Sequence, residues 1–265
     1  MKVPVANVWF DNMGMSDAVA KIVELALQSD RPRYVCTGNL DHLARLDRDP
    51  EFLDVYRRAD VVLADGAPVL WLSRLSSRSA PIRERVAGSD LFWEFARKSE
   101  ELGLRLFFLG GRAGSTDRAA EAVIARYPRA VVCGAYCPPE DAFDTAEEQS
   151  RIAQKVRDAA PNILLVGLGA PKQELWISRN LENLRVPVSI GIGGAFEMAA
   201  GGVRRAPIWM RRFGLEWAYR FGQEPVRLFR RYFLTDAPFL AKAAIREITG
   251  GYRATRQLGF ERAVE

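Results

Sequence analysis

Short, unbroken apolar runs alternate with stretches of helical periodicity through most of this chain, and that alternation limits its fold more sharply than any other feature. The runs cover Val3–Phe10, Arg33–Cys36, Val61–Ala64, Arg105–Leu109, Ala130–Gly134, Asn162–Val166 and Val186–Ile190. Between them, Ser16–Leu27, Pro50–Arg58, Asp90–Leu102, Ser115–Tyr127 and Glu147–Ala159 carry apolar residues at helical spacing. A strand with one wet face alternates apolar and polar residues. LRLFFLG and NILLVGLG do not, so they read as strands buried on both faces. Strand–helix alternation of this kind makes βαβ units and a mainly parallel sheet with helices on both faces. The fold class expected is therefore α/β. With 265 residues, 48% of them apolar, the chain is long enough for one large domain or a domain with an appendage.

The pattern changes after Gly201. Strands stop, and basic, aromatic helical segments follow. In PIWMRRFGLEWAYRFG, Met210, Phe213, Trp217 and Phe221 recur on one helical face, while Arg212, Glu216 and Arg220 follow one another at i+4 on another. PVRLFRRYFL then sets Leu228, Phe229, Tyr232 and Phe233 among Arg227, Arg230 and Arg231. From residue 203 onward there are 13 basic and 6 acidic residues, so this segment carries +7 of a chain whose total is only +5. An apolar face flanked by arginines suits a helix lying in a membrane interface. A helix docked on the sheet with its arginines in water fits the same periodicity. The division expected is a core over 1–202 and a helical, membrane-associating appendage over 203–265. No run of about 18 apolar residues occurs, and the start, MKVPVANVWFD, has no signal-peptide character, so the expected place is the cytoplasm.

Three cysteines and a single histidine narrow the chemistry. Cys36, Cys133 and Cys137 are too few and too scattered for a disulfide framework or a zinc site, and read as incidental thiols. His42, in NLDHLARL, reads as an ordinary helix-face histidine, which leaves acid–base work to a carboxylate.

Ligands of parallel α/β folds bind beyond the carboxyl ends of the strands. Here those ends read TGN (37–39), ADG (64–66), LGGRAGS (109–115), GLGAPKQE (167–174) and GIGGAFE (191–197). Glycine lets backbone N–H groups approach a phosphate, so a rim holding Gly110, Gly111 and Gly193 suits a phosphate or nucleotide. Neither a Walker A loop nor a complete G-x-G-x-x-G is present, which argues against a nicotinamide enzyme. Asp65 follows the strand VVLA at this rim, well placed to take a proton from a hydroxyl, although capping the helix that begins near Ala67 is the plainer role. Asp47-Arg48-Asp49 spells a D-x-D metal motif, but it sits at a helix end before Pro50 and is expected to bind no metal.

These segments, together with E-R-V-A-G-S-D at 84–90, R-A-P-x-W at 205–209 and G-L-E-W at 214–217, stand in an order that resembles the WecG/TagA/CpsF family of bacterial glycosyltransferases. The resemblance runs from about Asn7 to the region of Tyr232. It implies a Rossmann-like core and transfer of a sugar from a UDP-sugar to a polyprenyl-pyrophosphate-linked acceptor, with inversion and without metal or other cofactor. Relatives use N-acetylmannosamine, its uronic acid or glucose. By the same resemblance Asp65 is the general base, and Thr37 and Asn39 line the pocket. Gln173 meets sugar or nucleotide with Lys172 and Glu174 beside it, Gly193 and Phe196 belong to the same substrate site, and Arg85 holds diphosphate. Arg83 rivals Arg85, because the segment before it is about two residues longer than in relatives. Arg204, Arg205, Arg211, Arg212 and Arg220 are the appendage candidates for phosphate or lipid contacts. The implied location is the cytoplasmic face of the inner membrane, held peripherally, with oligomerisation as one way to cover exposed Trp and Phe.

Two other classes compete. A pI near 9.3 and an Arg-aromatic tail fit a nucleic-acid-binding protein, which would need those groups along a groove. A membrane-associated nucleotide-binding module without turnover fits the rim equally well. The family reading places nucleic acid outside the expected partners.

Overall fold

A computed structural model of the chain describes residues 1–28, 30–76, 79–202, 206–207, 210 and 215–250. The chain begins with β1 (Lys2–Val5), β2 (Val8–Asp11), α1 (Met15–Gln28), β3 (Arg33–Gly38), α2 (Leu40–Leu46), α3 (Pro50–Arg58), β4 (Val61–Ala64) and α4 (Ala67–Leu75). It continues through α5 (Gly88–Leu102), β5 (Arg105–Gly110), α6 (Ser115–Arg126), β6 (Val131–Tyr136), α7 (Ala146–Ala159), β7 (Ile163–Gly167), α8 (Lys172–Leu184), β8 (Val188–Gly191) and α9 (Ala195–Ala199). The described C-terminal elements are α10 (Glu216–Gln223), α11 (Pro225–Phe229), a π-helical stretch Arg230–Asp236 and α12 (Ala237–Ile248).

These elements group into two compact units. One holds Met15–Thr37 and the described residues of Ala87–Val203; the other holds Met1–Gly14, Gly38–Val86 and the described residues of Arg204–Glu265. In the first, β3, β8, β7, β5 and β6 lie side by side in that order, every pair parallel. Successive strands are joined through helices, and α6 packs on β5 and β6, α7 on β6, and α8 on β7 and β8. This is the parallel α/β architecture expected from the unbroken apolar runs. Phe92, Phe108 and Phe196 form its aromatic centre, with ring centroids 5.2 to 6.0 Å apart. Each ring is fully buried, which removes some of the most hydrophobic area in the chain from water.

In the second unit, β1 and β2 form an antiparallel hairpin with Val5 opposite Val8. The sequence reads as one strand over Val3–Phe10, and this is corrected. The chain reverses at Ala6, which adopts φ 50°, a conformation that residues other than Gly, Asn or Asp seldom take. The buried amide of Ala6 donates to Glu247 Oε1 at 2.7 Å, so a partner 241 residues away accompanies a turn with no glycine in it. Asp11, at the end of β2, accepts from Val62 N–H at 2.9 Å and so ties the hairpin to β4. Around these pieces α12 packs on α4, and the π-helical stretch packs on α2. Among the described residues no helix is long and apolar enough to cross a membrane.

Candidate active site

The second unit carries Asp65 and the residues around it. β4 is buried along its whole length, so its last residue, Ala64, delivers the next side chain to the rim of the strand. That residue is Asp65, half-buried, with its amide donating to Gly38 O at 2.8 Å. The TGN and ADG segments are therefore hydrogen-bonded neighbours. The N-cap of α4 is Gly66, not Asp65, so the capping role considered for Asp65 goes to a backbone with no side-chain cap. Gly66 has φ 129° and ψ 141°, a region open to glycine alone, which turns the chain sharply just after the carboxylate. Asn39 caps α2, its Oδ1 accepting from His42 N–H at 3.2 Å, and its Cβ lies 3.8 Å from where a side chain on Gly66 would begin.

The E-R-V segment reaches the same place. Val86 N–H donates to Ala64 O at 2.8 Å, which fixes Arg85 beside the strand end that carries Asp65. Arg85 is half-buried, and its Nη1 donates to the carboxylate of Glu216 in a short ion pair. Arg83 is exposed, and its amide donates to Asn12 Oδ1 at 2.9 Å. Of the two rivals for diphosphate, Arg85 stands next to Asp65 in the chain's hydrogen-bond pattern.

The first unit carries the glycine-rich strand ends. Thr37 is buried and its hydroxyl donates to Gly191 O at 3.0 Å, tying β3 to β8 at the rim. Gly111 N–H donates to Gly167 O at 2.8 Å and carries the chain on from Gly110. A Cβ on Gly167 would lie 2.7 Å from the Phe196 ring, so the rim glycine is required by packing as much as by any ligand. Phe196 itself is fully buried and forms the floor under the glycine turns. Gln173 is 2% exposed, and both ends of its amide are engaged: Nε2 donates to Glu174 Oε1 at 2.7 Å and Oε1 accepts from Gly193 N–H at 3.1 Å. The P-K-Q-E motif thus braces the GIGG turn. Lys172 points its ammonium at the Phe143 ring, 3.7 Å from the centroid, a cation–π contact at the start of α8.

Other singled-out residues have structural occupations. Asp47 accepts from Lys242 at 3.0 Å, and Asp49 caps α3 through Phe52 N–H at 3.0 Å. His42 is completely buried against Tyr56, and burial pushes its pKa down to about 3, so it is neutral near pH 7. Burial pushes the Cys133 and Cys137 thiols up, which leaves them protonated and poor nucleophiles at neutral pH. Among the described residues no three His, Cys, Asp or Glu side chains gather where they could hold a metal ion. Arg204, Arg205, Arg211 and Arg212 lie outside the described residues. Arg220 lies within α10, where its buried Nε has no hydrogen-bond partner among the described residues.

Sequence reasoning passed over two carboxylates. Glu216 stands in sequence only as a member of G-L-E-W and of the polar face it shares with Arg212 and Arg220. Glu197, in GIGGAFE, accepts from Arg112 N–H at 2.9 Å through Oε1, while its buried Oε2 has no partner among the described residues. A carboxylate directly after the glycine turn of GIGGAFE was the signal available in that motif.

The profile of the Glycosyl transferase WecG/TagA/CpsF family matches residues 3–253. The chain is 28% identical over 224 residues to an N-acetylglucosaminyldiphosphoundecaprenol N-acetyl-beta-D-mannosaminyltransferase of Bacillus spizizenii, covering 84% of each chain. A protein of the same description from Bacillus subtilis is 31% identical over 180 residues, covering 68% of this chain and 67% of the relative. One from Staphylococcus aureus is 28% identical over 220 residues, covering 83% and 84%.

Proposed function

The chain belongs to the WecG/TagA/CpsF family of glycosyl transferases, and on that premise we propose that it moves a hexose from a UDP-sugar to a polyprenyl-diphosphate-linked saccharide, inverting the anomeric carbon without an essential metal. The observation that carries this reading is the convergence of Asp65, Asn39 and Arg85 on the end of β4, a carboxylate and a guanidinium held by the hydrogen bonds of one strand end. An inverting transfer is a single in-line displacement. Asp65 takes the proton of the acceptor hydroxyl as that oxygen attacks the anomeric carbon, and the bond to UDP breaks on the opposite face. Negative charge grows on the departing diphosphate. Arg85 meets it with a planar fork suited to phosphate oxygens.

The names of the relatives favour N-acetylmannosamine as the sugar over its uronic acid or glucose, and an N-acetylglucosaminyl-diphospholipid as the acceptor. A lipid acceptor requires the site to meet a membrane. Trp217, Phe229, Phe233 and Leu234 are 43 to 63% exposed on the C-terminal helices, among Arg220, Arg230 and Arg231. Such a face suits the headgroup boundary of the cytoplasmic leaflet. Trp217, Tyr232, Phe221, Phe233 and Phe229 also stack on one another, centroids 5.2 to 6.2 Å apart, rather than standing apart as platforms for bases. That packing favours a membrane surface over nucleic acid.

The test is turnover by the full chain in liposomes with a panel of UDP-sugars and lipid-diphosphate acceptors, in the presence and absence of EDTA. Product that requires both substrates, survives EDTA and falls by about 100-fold or more in Asp65→Asn, with UDP still bound, is the expected result. Full turnover in Asp65→Asn would remove the proposed base.

A further inference from the structure

Glu216 sits within G-L-E-W, a motif that carries the family resemblance, yet no step of the proposed chemistry uses it. It is the first residue of α10, where the free N–H groups of a helix start favour an acidic side chain. That would explain an exposed glutamate with no distant partner. Instead the carboxylate accepts from Arg85, 131 residues earlier, with both side chains about three-quarters sheltered from solvent. A pair so placed is screened less than one on the open surface.

The local alternative is present and unused. Arg220 stands one turn on, at the i+4 spacing that favours a Glu–Arg pair on a helix. Yet Arg220 Nε has no hydrogen-bond partner among the described residues, and the ion pair of Glu216 is with Arg85. The backbone at Arg85 is pinned through its neighbour Val86, but a pinned backbone does not orient a guanidinium on a long, rotamer-rich stem.

We propose that Glu216 is a positioning residue for Arg85: it holds the guanidinium in the orientation in which the fork meets a diphosphate, so that α10 sets the affinity of the site beside Asp65 for that group. This rests on the reading of Arg85 as the diphosphate-binding residue. Glu216 touches neither reacting atom and acts through Arg85 alone.

A double-mutant cycle on the full chain tests it, with UDP and uridine as titrants and the thermal midpoint recorded for every variant. Arg85→Ala and Glu216→Ala are each expected to weaken UDP binding, the latter by about tenfold, while uridine binding stays unchanged. In the Arg85→Ala background, Glu216→Ala should then have no further effect. Glu216→Gln keeps an acceptor oxygen without the charge and should fall between wild type and Glu216→Ala. An additive loss, or an equal loss for uridine, would mean that Glu216 serves the fold and not Arg85, and the proposal would be overturned. UDP binding weakened by Arg85→Ala but untouched by Glu216→Ala would overturn it while leaving the diphosphate reading intact. UDP binding untouched by Arg85→Ala would sink that reading, and the role of Glu216 with it.

Discussion

Replacing Gln173 with alanine separates two jobs that one side chain could hold. As a brace, its amide joins Glu174 Oε1 at 2.7 Å to the Gly193 N–H at 3.1 Å, in a place only 2% exposed. Losing a buried hydrogen bond to a carboxylate costs about 1.5–3 kcal/mol, and losing one to a backbone amide about 1 kcal/mol. The void left by the side chain adds about 1 kcal/mol. The total, about 4 kcal/mol, is a large share of the 5–15 kcal/mol that typically holds a domain folded. For a chain of this length it corresponds to a fall of roughly 10 °C in the thermal midpoint. The assay is thermal unfolding followed by circular dichroism and tryptophan fluorescence together, with UDP titrated at a temperature where both proteins are folded. Gln173→Glu sharpens the comparison, because it sets a second carboxylate against Glu174 and should also lower the midpoint. A midpoint within 2 °C of wild type, roughly the shift of half a kcal/mol, combined with lost UDP affinity, would refute the bracing argument and make Gln173 a ligand contact.

Acid stability gives a second prediction. His42 is neutral in the folded chain down to about pH 3 but takes a proton below about pH 6.5 once unfolded, so its contribution to stability falls by up to about 1.4 kcal/mol per pH unit across that window. Asp236 acts in the opposite sense. Burial pushes its pKa up to about 6, against the pull of Arg231, so between about pH 6 and its ordinary value near 3.8 the folded chain binds the extra proton and gains stability as pH falls. The two slopes oppose each other, and Asp236→Asn should make urea-unfolding stability fall more steeply below pH 6 than in the wild type; parallel profiles would contradict this. Third, Phe229→Ser with Phe233→Ser should weaken binding to anionic liposomes by at least about tenfold, since burying each ring is worth about 1.5–3 kcal/mol. Unchanged sedimentation with vesicles would count against the membrane face, and a wild type that sediments as a dimer would assign that face to a second copy.

Legibility followed burial. Val61–Ala64 and Pro50–Arg58 were readable to the residue, because an apolar run and a Pro-initiated helix each carry their own boundaries. β3 and β6 each run two residues further than expected, ending at Gly38 and Tyr136, since ladder hydrogen bonds extend a strand past its last large apolar residue. The hairpin at Ala6 was hidden because its turn has no glycine and is accompanied by a contact to Glu247 that no local window contains. The same limit applies at the site. Asp65 and the glycine turns announce themselves by their place after strands. Glu216 shows no function in sequence, because its partner is 131 residues away. Gln173 and Phe196 look like ligand contacts for the opposite reason: packing the turns from beneath and touching what lies on them select residues at the same positions.

The unit that carries Asp65 is assembled from three stretches of chain, Met1–Gly14, Gly38–Val86 and the described residues of Arg204–Glu265. On the ribosome this ordering has a temporal meaning. Ala6 and Arg85 are translated before their partners: the Glu247 carboxylate that takes the Ala6 amide lies 241 residues further on, and the Glu216 carboxylate that takes Arg85 lies 131 residues further on. The nascent protein therefore holds its hairpin turn and Arg85 without these acidic partners until the C-terminal helices are made. Only when α12 leaves the exit tunnel are both contacts available, so the order of translation itself delays completion of this unit.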